Sequence, residues 1–228
     1  MTENSDHIPP KSPPQFTKPE IPKPVVARMS RYLRELETLL RSGEQFTNSR
    51  QLGQLLGATD SQVRKDLGRF GQFGRPGVGY RCEALIEKIR EILGTNRNWN
   101  VALIGCGNLG QALLGHKGFE KQGFSIVAAF DTAPEIIGMK IDNLIVQPIN
   151  DLDRLTIQMN IEMAILAVPP DRAETAANLI MKAGIRGILN FAPITLNLED
   201  QIAIADVDLA MELQKLAYSV QKKQIEKS

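Results

Sequence analysis

The sequence predicts an α/β chain in two folded parts, a small winged-helix domain and a larger doubly wound parallel sheet, followed by a lone C-terminal helix. Three observations predict it. Residues 25 to 94 carry apolar side chains at helical spacing, interrupted once by "GQFGRPGVGY". Beyond residue 98, short runs that are apolar throughout alternate with segments of helical spacing. Between the first of those runs and the helix after it stands "GCGNLG". At 228 residues the chain is long enough for two modest cores.

Residues 1 to 23 come first. They are polar and proline-rich, with seven prolines in the first 24 residues, and predict a disordered tail. The start has no apolar core of a signal peptide, and no run in the chain approaches the ~18 apolar residues that span a bilayer. A cytoplasmic chain without a membrane segment is expected.

Residues 24 to 94 form the small domain. Val26, Met29, Leu33, Leu36, Leu39 and Leu40 make one stripe, which ends at Gly43. A second, short helix is expected after a cap at Asn48 or Ser49, with Leu52, Leu55 and Leu56 inward and Gly57 as its stop. A third, after Thr59 or Asp60, buries Val63, Leu67 and Phe70 and turns Ser61, Gln62, Arg64, Lys65 and Arg69 outward. Helix, short turn and helix with a basic outer face is the pattern of a helix-turn-helix reader of the DNA major groove. "GQFGRPGVGY" cannot extend that helix, because it holds four glycines and a proline in ten residues. Two short strands around "RPG" would make a wing, with Tyr80 anchoring it. "RCEALIEKIREILG" restores helical spacing and closes the domain at Gly94. From Lys23 to Gly94 there are 13 Lys and Arg against 8 Asp and Glu, and from Thr95 onward 12 against 15. The first part is the one that attracts a polyanion.

Residues 95 to 205 read as a parallel sheet with helical crossovers. "VALIG", "FSIVAAFD", "NLIVQPI", "IEMAILAVP" and "IRGILN" are strands buried on both faces, separated by helices expected at 108 to 121, 151 to 159 and 171 to 183. "VALIGCGNLGQALL" sets G-x-G-x-x-G between a strand and a helix, the context in which the pattern marks a Rossmann dinucleotide loop. Gly105 permits the tight turn, Gly107 a close approach of backbone to pyrophosphate, and Gly110 close packing of the helix; Cys106, Asn108 and Leu109 complete the loop. Asp131 ends the second strand, where a carboxylate bonds an adenosine ribose and favours NAD over NADP. Ligands of such sheets lie outside the carboxyl ends of the strands, so Val168 and Pro169 of "AVPP" and Asn190 and Phe191 of "NFAP" are expected at the same crevice.

No catalytic group stands out. The histidines are His7, in the tail, and His116, and none of the tyrosines belongs to a Tyr-x-x-x-Lys pair. Nucleotide binding without evident acid–base chemistry points away from an enzyme and towards sensing. Cys82 and Cys106 form no CxxC or Cys/His cluster, so neither a disulfide nor a metal site is expected. Residues 206 to 228 repeat apolar side chains at Val207, Ala210, Leu213, Ala217 and Val220, widened by Leu209 and Leu216, a stripe that needs a partner surface.

In "SQVRKDLGRFGQFGRPGVGY", "IGCGNLGQAL", "GFSIVAAFD", "IEMAILAVP", "GILNFAP" and "VDLAMELQKLAY", in this order over about residues 25 to 220, the chain resembles the Rex family of bacterial redox-sensing transcriptional repressors. The resemblance implies a homodimer whose winged-helix domains bind an inverted-repeat, double-stranded operator and whose Rossmann domains bind NADH or NAD⁺, NADH favouring the form that releases DNA. It implies a C-terminal helix swapped between subunits. It places Arg28 and Arg34 near the DNA backbone, Ser61, Gln62, Arg64 and Lys65 on the recognition helix, Arg75 in the wing, and Asp208 near the other subunit's nicotinamide. His116 stands where the family more often has tyrosine, Leu209 where some members have phenylalanine, and Asn108 where some have arginine. Two other readings share parts of the pattern: an NAD(H)-dependent oxidoreductase with an appended basic domain, and a CoA-binding domain of the ligase type. The missing proton donor argues against the first, and Asp131 with the winged helix against the second.

Overall fold

The structure, a computed structural model, describes residues 21–71, 73–75, 78–198 and 202–225. The tail expected at the start lies outside them up to residue 20. The chain divides into two compact units, one ending at Gly94 and one beginning at Thr95.

The first unit begins with α1 (Lys23–Arg41), whose Met29, Tyr32 and Leu36 are fully buried. Val26 and Leu40 lie at the edges of that stripe and are more than a third exposed; the inner face is completed by Val25 and Tyr32 instead. Strand β1 (Phe46–Thr47) follows, then α2 (Ser49–Leu56). The cap of α2 is Asn48, whose Oδ1 accepts the N–H of Gln51 at 2.9 Å, and the helix stops at Gly57 in the left-handed region, φ 65°. Arg31 closes the same end by donating to the carbonyl of Leu56 at 2.9 Å. Leu55, expected inward, is 49% exposed. The buried face of α2 centres on Ser49, Leu52, Gly53 and Leu56, and at 100° per residue Leu55 lies about 110° from its middle.

Helix α3 (Asp60–Gly68) is capped by Thr59, whose Oγ1 accepts the N–H of Gln62 at 3.1 Å. Its buried face is Val63, Asp66 and Leu67, with Phe70 half-buried beyond its end. The wing is β2 (Gly74–Arg75) against β3 (Gly79–Arg81), and β1 pairs with the other side of β3, an antiparallel sheet of order β1-β3-β2. Two residues are too few to show an alternating pattern, which is why β1 is silent in the sequence. Tyr80 anchors the wing through a 2.9 Å hydroxyl contact with Ser49. Helix α4 (Cys82–Leu93) packs on α1, joined by Arg90 to Glu37 at 2.8 Å, and ends at Gly94.

The second unit runs β4 (Trp99–Ile104), α5 (Asn108–Leu114), α6 (Gly118–Lys121), β5 (Phe124–Asp131), β6 (Lys140–Ile141), β7 (Leu144–Pro148), α7 (Leu152–Gln158), β8 (Met163–Leu166), α8 (Pro170–Lys182), β9 (Gly187–Asn190), β10 (Ala203–Asp206) and α9 (Leu209–Ile225). The helix expected over 108 to 121 is broken into two, because "GHKG" supplies two residues of poor helix propensity where α5 ends. The sheet order is β10-β9-β8-β4-β5-β7-β6. All pairs are parallel except β6 with β7, a short hairpin on the edge. Successive residues of β4 divide the core: Val101 and Leu103 pack with Leu113, Leu114 and Phe119, while Ala102 and Ile104 pack with Leu152, Ala173, Ala177 and Ile180. Strands covered on both sides have no polar face to alternate, which explains their continuous apolar runs.

Counting from β4, the parallel strands stand in the order 3-2-1-4-5-6, the order of dinucleotide-binding sheets. The direction of winding reverses between β4 and β8. A crevice must open there at the carboxyl ends of the strands, since one crossover leaves above the sheet and the next below it. Helix α9 ends the chain with Leu209, Leu213 and Leu216 58–66% exposed. Among the described residues no helix is long and apolar enough to cross a membrane.

Candidate functional site

The crevice at the reversal is real: a cavity of about 560 Å³ lies between the loop after β4, the loop after β8 and the end of β5. Gly105, Gly107, Asp131, Val168 and Pro169 of the expected site line it. The three loop glycines are there for three reasons. Gly105 has φ 93°, and a Cβ on it would press on the carbonyl of Ala167. Gly110 lies buried at the first turn of α5, where a Cβ would overlap the carbonyl oxygen of Gly105. Gly107 is different: a Cβ there would meet no protein atom within 4 Å. Nothing in the protein's own packing requires glycine at 107, so the room it leaves is room for something outside. The first turn of α5, which begins just past Gly107, has no side-chain cap to take up its N–H groups.

Asp131 closes the far end. Its Oδ2 accepts the N–H of Cys106 at 2.7 Å, and its Oδ1 those of Thr132 and Ala133 at 2.7 and 2.9 Å. A carboxylate has about four acceptor positions, so three backbone donors leave one on Oδ2 for a ribose hydroxyl. The cavity, the open face of Gly107 and this remaining acceptor fit a dinucleotide. Cys106 points the other way: its thiol is fully buried, lies 3.6 Å from the carbonyl of Phe130, and is pushed up to about 12 by burial first and by the Asp131 charge second. It is a packing residue whose backbone N–H serves the loop. Asn108 and Leu109 are exposed at the start of α5.

Three other expected residues do not line the cavity. Asn190 is fully buried, its amide donating to Ile194 at 3.0 Å and to Asp206 at 2.8 Å while Oδ1 accepts from Ala192 at 3.0 Å. Its side chain ties the end of β9 to the loop that follows and to β10. Phe191 is half-buried and packs into the core beside β4. Asp208 caps α9, accepting the N–H of Met211 at 3.0 Å. Conversely, Thr132 and Arg172 line the cavity and were not foreseen; Arg172 donates to the Thr132 hydroxyl at 3.1 Å. Their signal was position alone, one just past β5 and the other in the first turn after β8.

The second candidate surface is the outer side of α3 with the wing. Ser61, Arg64 and Lys65 are exposed and Gln62 half-buried. Arg64 bonds Asp60 at 2.9 Å, an exposed pair that costs little to open. Arg34 is 71% exposed on α1. The backbone of Arg75 is in β2, while its side chain, with Gln72, Pro76 and Gly77, falls outside the described residues. Arg28, which the resemblance places near the DNA backbone, keeps a side chain 30% exposed. Its guanidinium holds the carboxylate of Asp66 through Nε at 2.5 Å and Nη2 at 2.8 Å.

Asp66, 1% exposed, also accepts from Tyr32 at 3.0 Å and from Gln62 at 2.8 Å. Burial alone would raise its pKa, but the bonds from Arg28, Tyr32 and Gln62 outweigh that and hold it below the usual carboxylate value. The Tyr32 hydroxyl is raised to about 12, by burial first and then by its bond to the carboxylate. Sequence spacing gave no sign of this knot, since a lone Asp among Arg and Lys reads as surface charge.

Comparisons agree with both halves. Residues 20–68 match the family described as putative DNA-binding protein N-terminus, and residues 96–194 the family described as CoA binding domain. The chain is 46% identical over 204 residues to a redox-sensing transcriptional repressor Rex of Rhodopirellula baltica, spanning 90% of this chain and 86% of that one. It is 42% identical over 203 residues to the Rex of Carboxydothermus hydrogenoformans, spanning 89% and 98%. Among solved structures it is similar to RSP, a Rex-family repressor. RSP with β-NAD⁺ and operator DNA matches at TM-score 0.85 and 36% identity over 92% of this chain and 97% of that one; RSP with β-NADH matches at 0.83 and 34% over 92% and 99%. With relatives this similar across both units, the chain belongs to the Rex family of redox-sensing transcriptional repressors.

Proposed function

We propose that this chain is a cytoplasmic repressor that binds operator DNA as a homodimer and lets go when NADH occupies the crevice at the β4–β8 reversal, so that it responds to the NADH/NAD⁺ ratio. The observation that carries this is the open face of Gly107 beside Asp131, a built nucleotide site, in a chain whose other unit is a winged helix. The match to a CoA-binding family covers the sheet alone, while the Rex relatives span both units. The division of labour is residues 24 to 94 for DNA, 95 to 205 for nucleotide and 206 to 228 for the dimer.

Within the site, the N–H groups from Gly107 into the first turn of α5 hold the pyrophosphate, Asp131 the adenosine ribose, and Val168 and Pro169 wall the cleft. Asp208 reaches the other subunit's nicotinamide from a swapped α9. Arg34, Ser61, Gln62, Arg64, Lys65 and Arg75 face the duplex, and Arg28 holds α3 in place from behind. The nucleotide supplies no chemistry here; its occupancy is the signal. It shifts the dimer only through different affinities for the bound and released forms, typically ~1–3 kcal/mol. NADH and NAD⁺ differ by a hydride and a ring charge, a difference a carboxylate such as Asp208 feels. Mobility-shift titrations on an inverted-repeat duplex with NADH, NAD⁺ and both test the reading: NADH should release DNA at concentrations where NAD⁺ does not, and indifference to NADH refutes it.

A further inference from the structure

Gln62 is the third residue of α3, at the end of a recognition helix that meets base edges. Its side chain is held: Nε2 donates to Oδ1 of Asp66, one turn on, at 2.8 Å. Asp66 cannot turn away, because Arg28 grips both its oxygens and Tyr32 bonds one of them in a buried setting. An ionised carboxylate only accepts, so the nitrogen of the Gln62 amide must be the atom facing inward. That leaves Oε1 and the second N–H of Nε2, neither with a partner among the described residues.

An acceptor beside a donor on one planar amide matches the major-groove edge of adenine, which offers N6–H and N7. Guanine offers two acceptors, cytosine one donor, and thymine an acceptor and a methyl group. The neighbouring side chains carry less of this information. Arg64, whose exposed pair with Asp60 opens easily, suits guanine rather than adenine, and Lys65 is a point charge suited to phosphate. We infer that Gln62 reads an adenine in the operator, and that Asp66, which touches no base, is a positioning residue that keeps the Gln62 amide turned for it. This rests on α3 being a recognition helix.

The test is selection from a pool of randomised duplexes by the full-length wild type, Gln62→Ala and Asp66→Asn, with base frequencies read at every position of the enriched repeat. The wild type should enrich A·T at one symmetric pair of positions. Gln62→Ala should lose that preference by about ten-fold or more, leaving the other positions unchanged. Asp66→Asn should lose it at the same pair, because an amide at 66 offers its own N–H and lets the oxygen of Gln62 turn inward, whereas a merely structural loss would weaken all positions alike. NADH titration of each variant reports that the nucleotide unit is intact. Gln62→Ala truncates a half-exposed side chain, so it carries the test alone if Asp66→Asn folds poorly. An unchanged profile for Gln62→Ala, or a lost preference at a pair other than A·T, overturns the inference. A wild type that enriches no inverted repeat instead overturns the recognition-helix reading beneath it.

Discussion

The carboxylate of Asp131, at the end of β5, accepts the backbone N–H of Cys106 in the loop after β4 at 2.7 Å. One side chain therefore both shapes the loop and offers its remaining acceptor position to a ribose. Asp131→Asn removes the charge and, with a donor in place of one oxygen, can no longer accept all three backbone N–H groups. NADH affinity should fall about ten-fold, the weight of one hydrogen bond to a charged group. NADPH, whose 2′-phosphate no longer meets a like charge, should lose less or gain. Fluorescence titration with both nucleotides reads the ratio, and an unaltered NADH preference refutes the role given to Asp131.

The glycine loop makes a sharper pair of predictions, because its glycines are required by different things. At Gly107 φ is −68° and a Cβ meets only open space, so Gly107→Ala should leave stability within about ±0.5 kcal/mol while weakening nucleotide binding. At Gly110 a Cβ overlaps the carbonyl of Gly105, so Gly110→Ala should cost about 1–3 kcal/mol in fold stability whether or not nucleotide is added. Thermal unfolding and NADH titration of the two variants separate them. Equal effects on both measurements would mean that the loop serves packing alone.

Those glycines also show what the sequence can and cannot say. "GCGNLG" after an apolar run announces the loop, and Asp131 at the end of the next run announces the ribose position, because both signals are local. Strand order is not local: that β8 pairs with β4 follows from contacts across some sixty residues, so the sequence places Val168 and Pro169 at the crevice only through the general rule for such sheets. The same holds for Asp66, whose partners Arg28 and Tyr32 lie 38 and 34 residues away. The pairing of Arg28 with Asp66 is silent in the sequence, since each looks like surface charge until the other is beside it. Asn190 is the opposite case, a strand-end residue whose position is legible while its bonds to Asp206, Ile194 and Ala192 are not.

The Asp66 knot should make the winged-helix unit sensitive at both ends of the pH scale. Its folded pKa is depressed, so its stabilisation is present above the unfolded value, 3.8, and is lost as pH falls through the lower folded value. Tyr32 is raised from 10.0 to about 12, so its contribution is complete below pH 10 and lost as pH climbs towards 12. Asp66→Ala removes the acceptor shared by Arg28, Tyr32 and Gln62 and should cost about 1.5–3 kcal/mol at neutral pH. Tyr32→Phe should flatten the alkaline limb and, having removed one of the bonds that hold the Asp66 pKa down, lessen the acid limb as well. Urea unfolding followed by far-UV circular dichroism across pH checks this: the winged-helix transition should move and the Rossmann transition should not.

Helix α9 carries the last prediction. Leu209, Leu213 and Leu216 are 58–66% exposed and Val220 is 48% exposed, a row of apolar side chains of the kind that soluble chains cover. If a second subunit covers them, charge on that row must be expelled from the interface, while the fold of a single chain loses little because these side chains touch little of it. Leu213→Glu with Leu216→Glu should therefore halve the mass seen by light scattering without moving the thermal transition of the winged-helix unit. Binding to an inverted repeat should fall far more than binding to a half-site, since a dimer gains its second contact at high effective concentration and a monomer does not. A doubly charged α9 that still runs at the wild-type mass would place the dimer interface elsewhere on the chain.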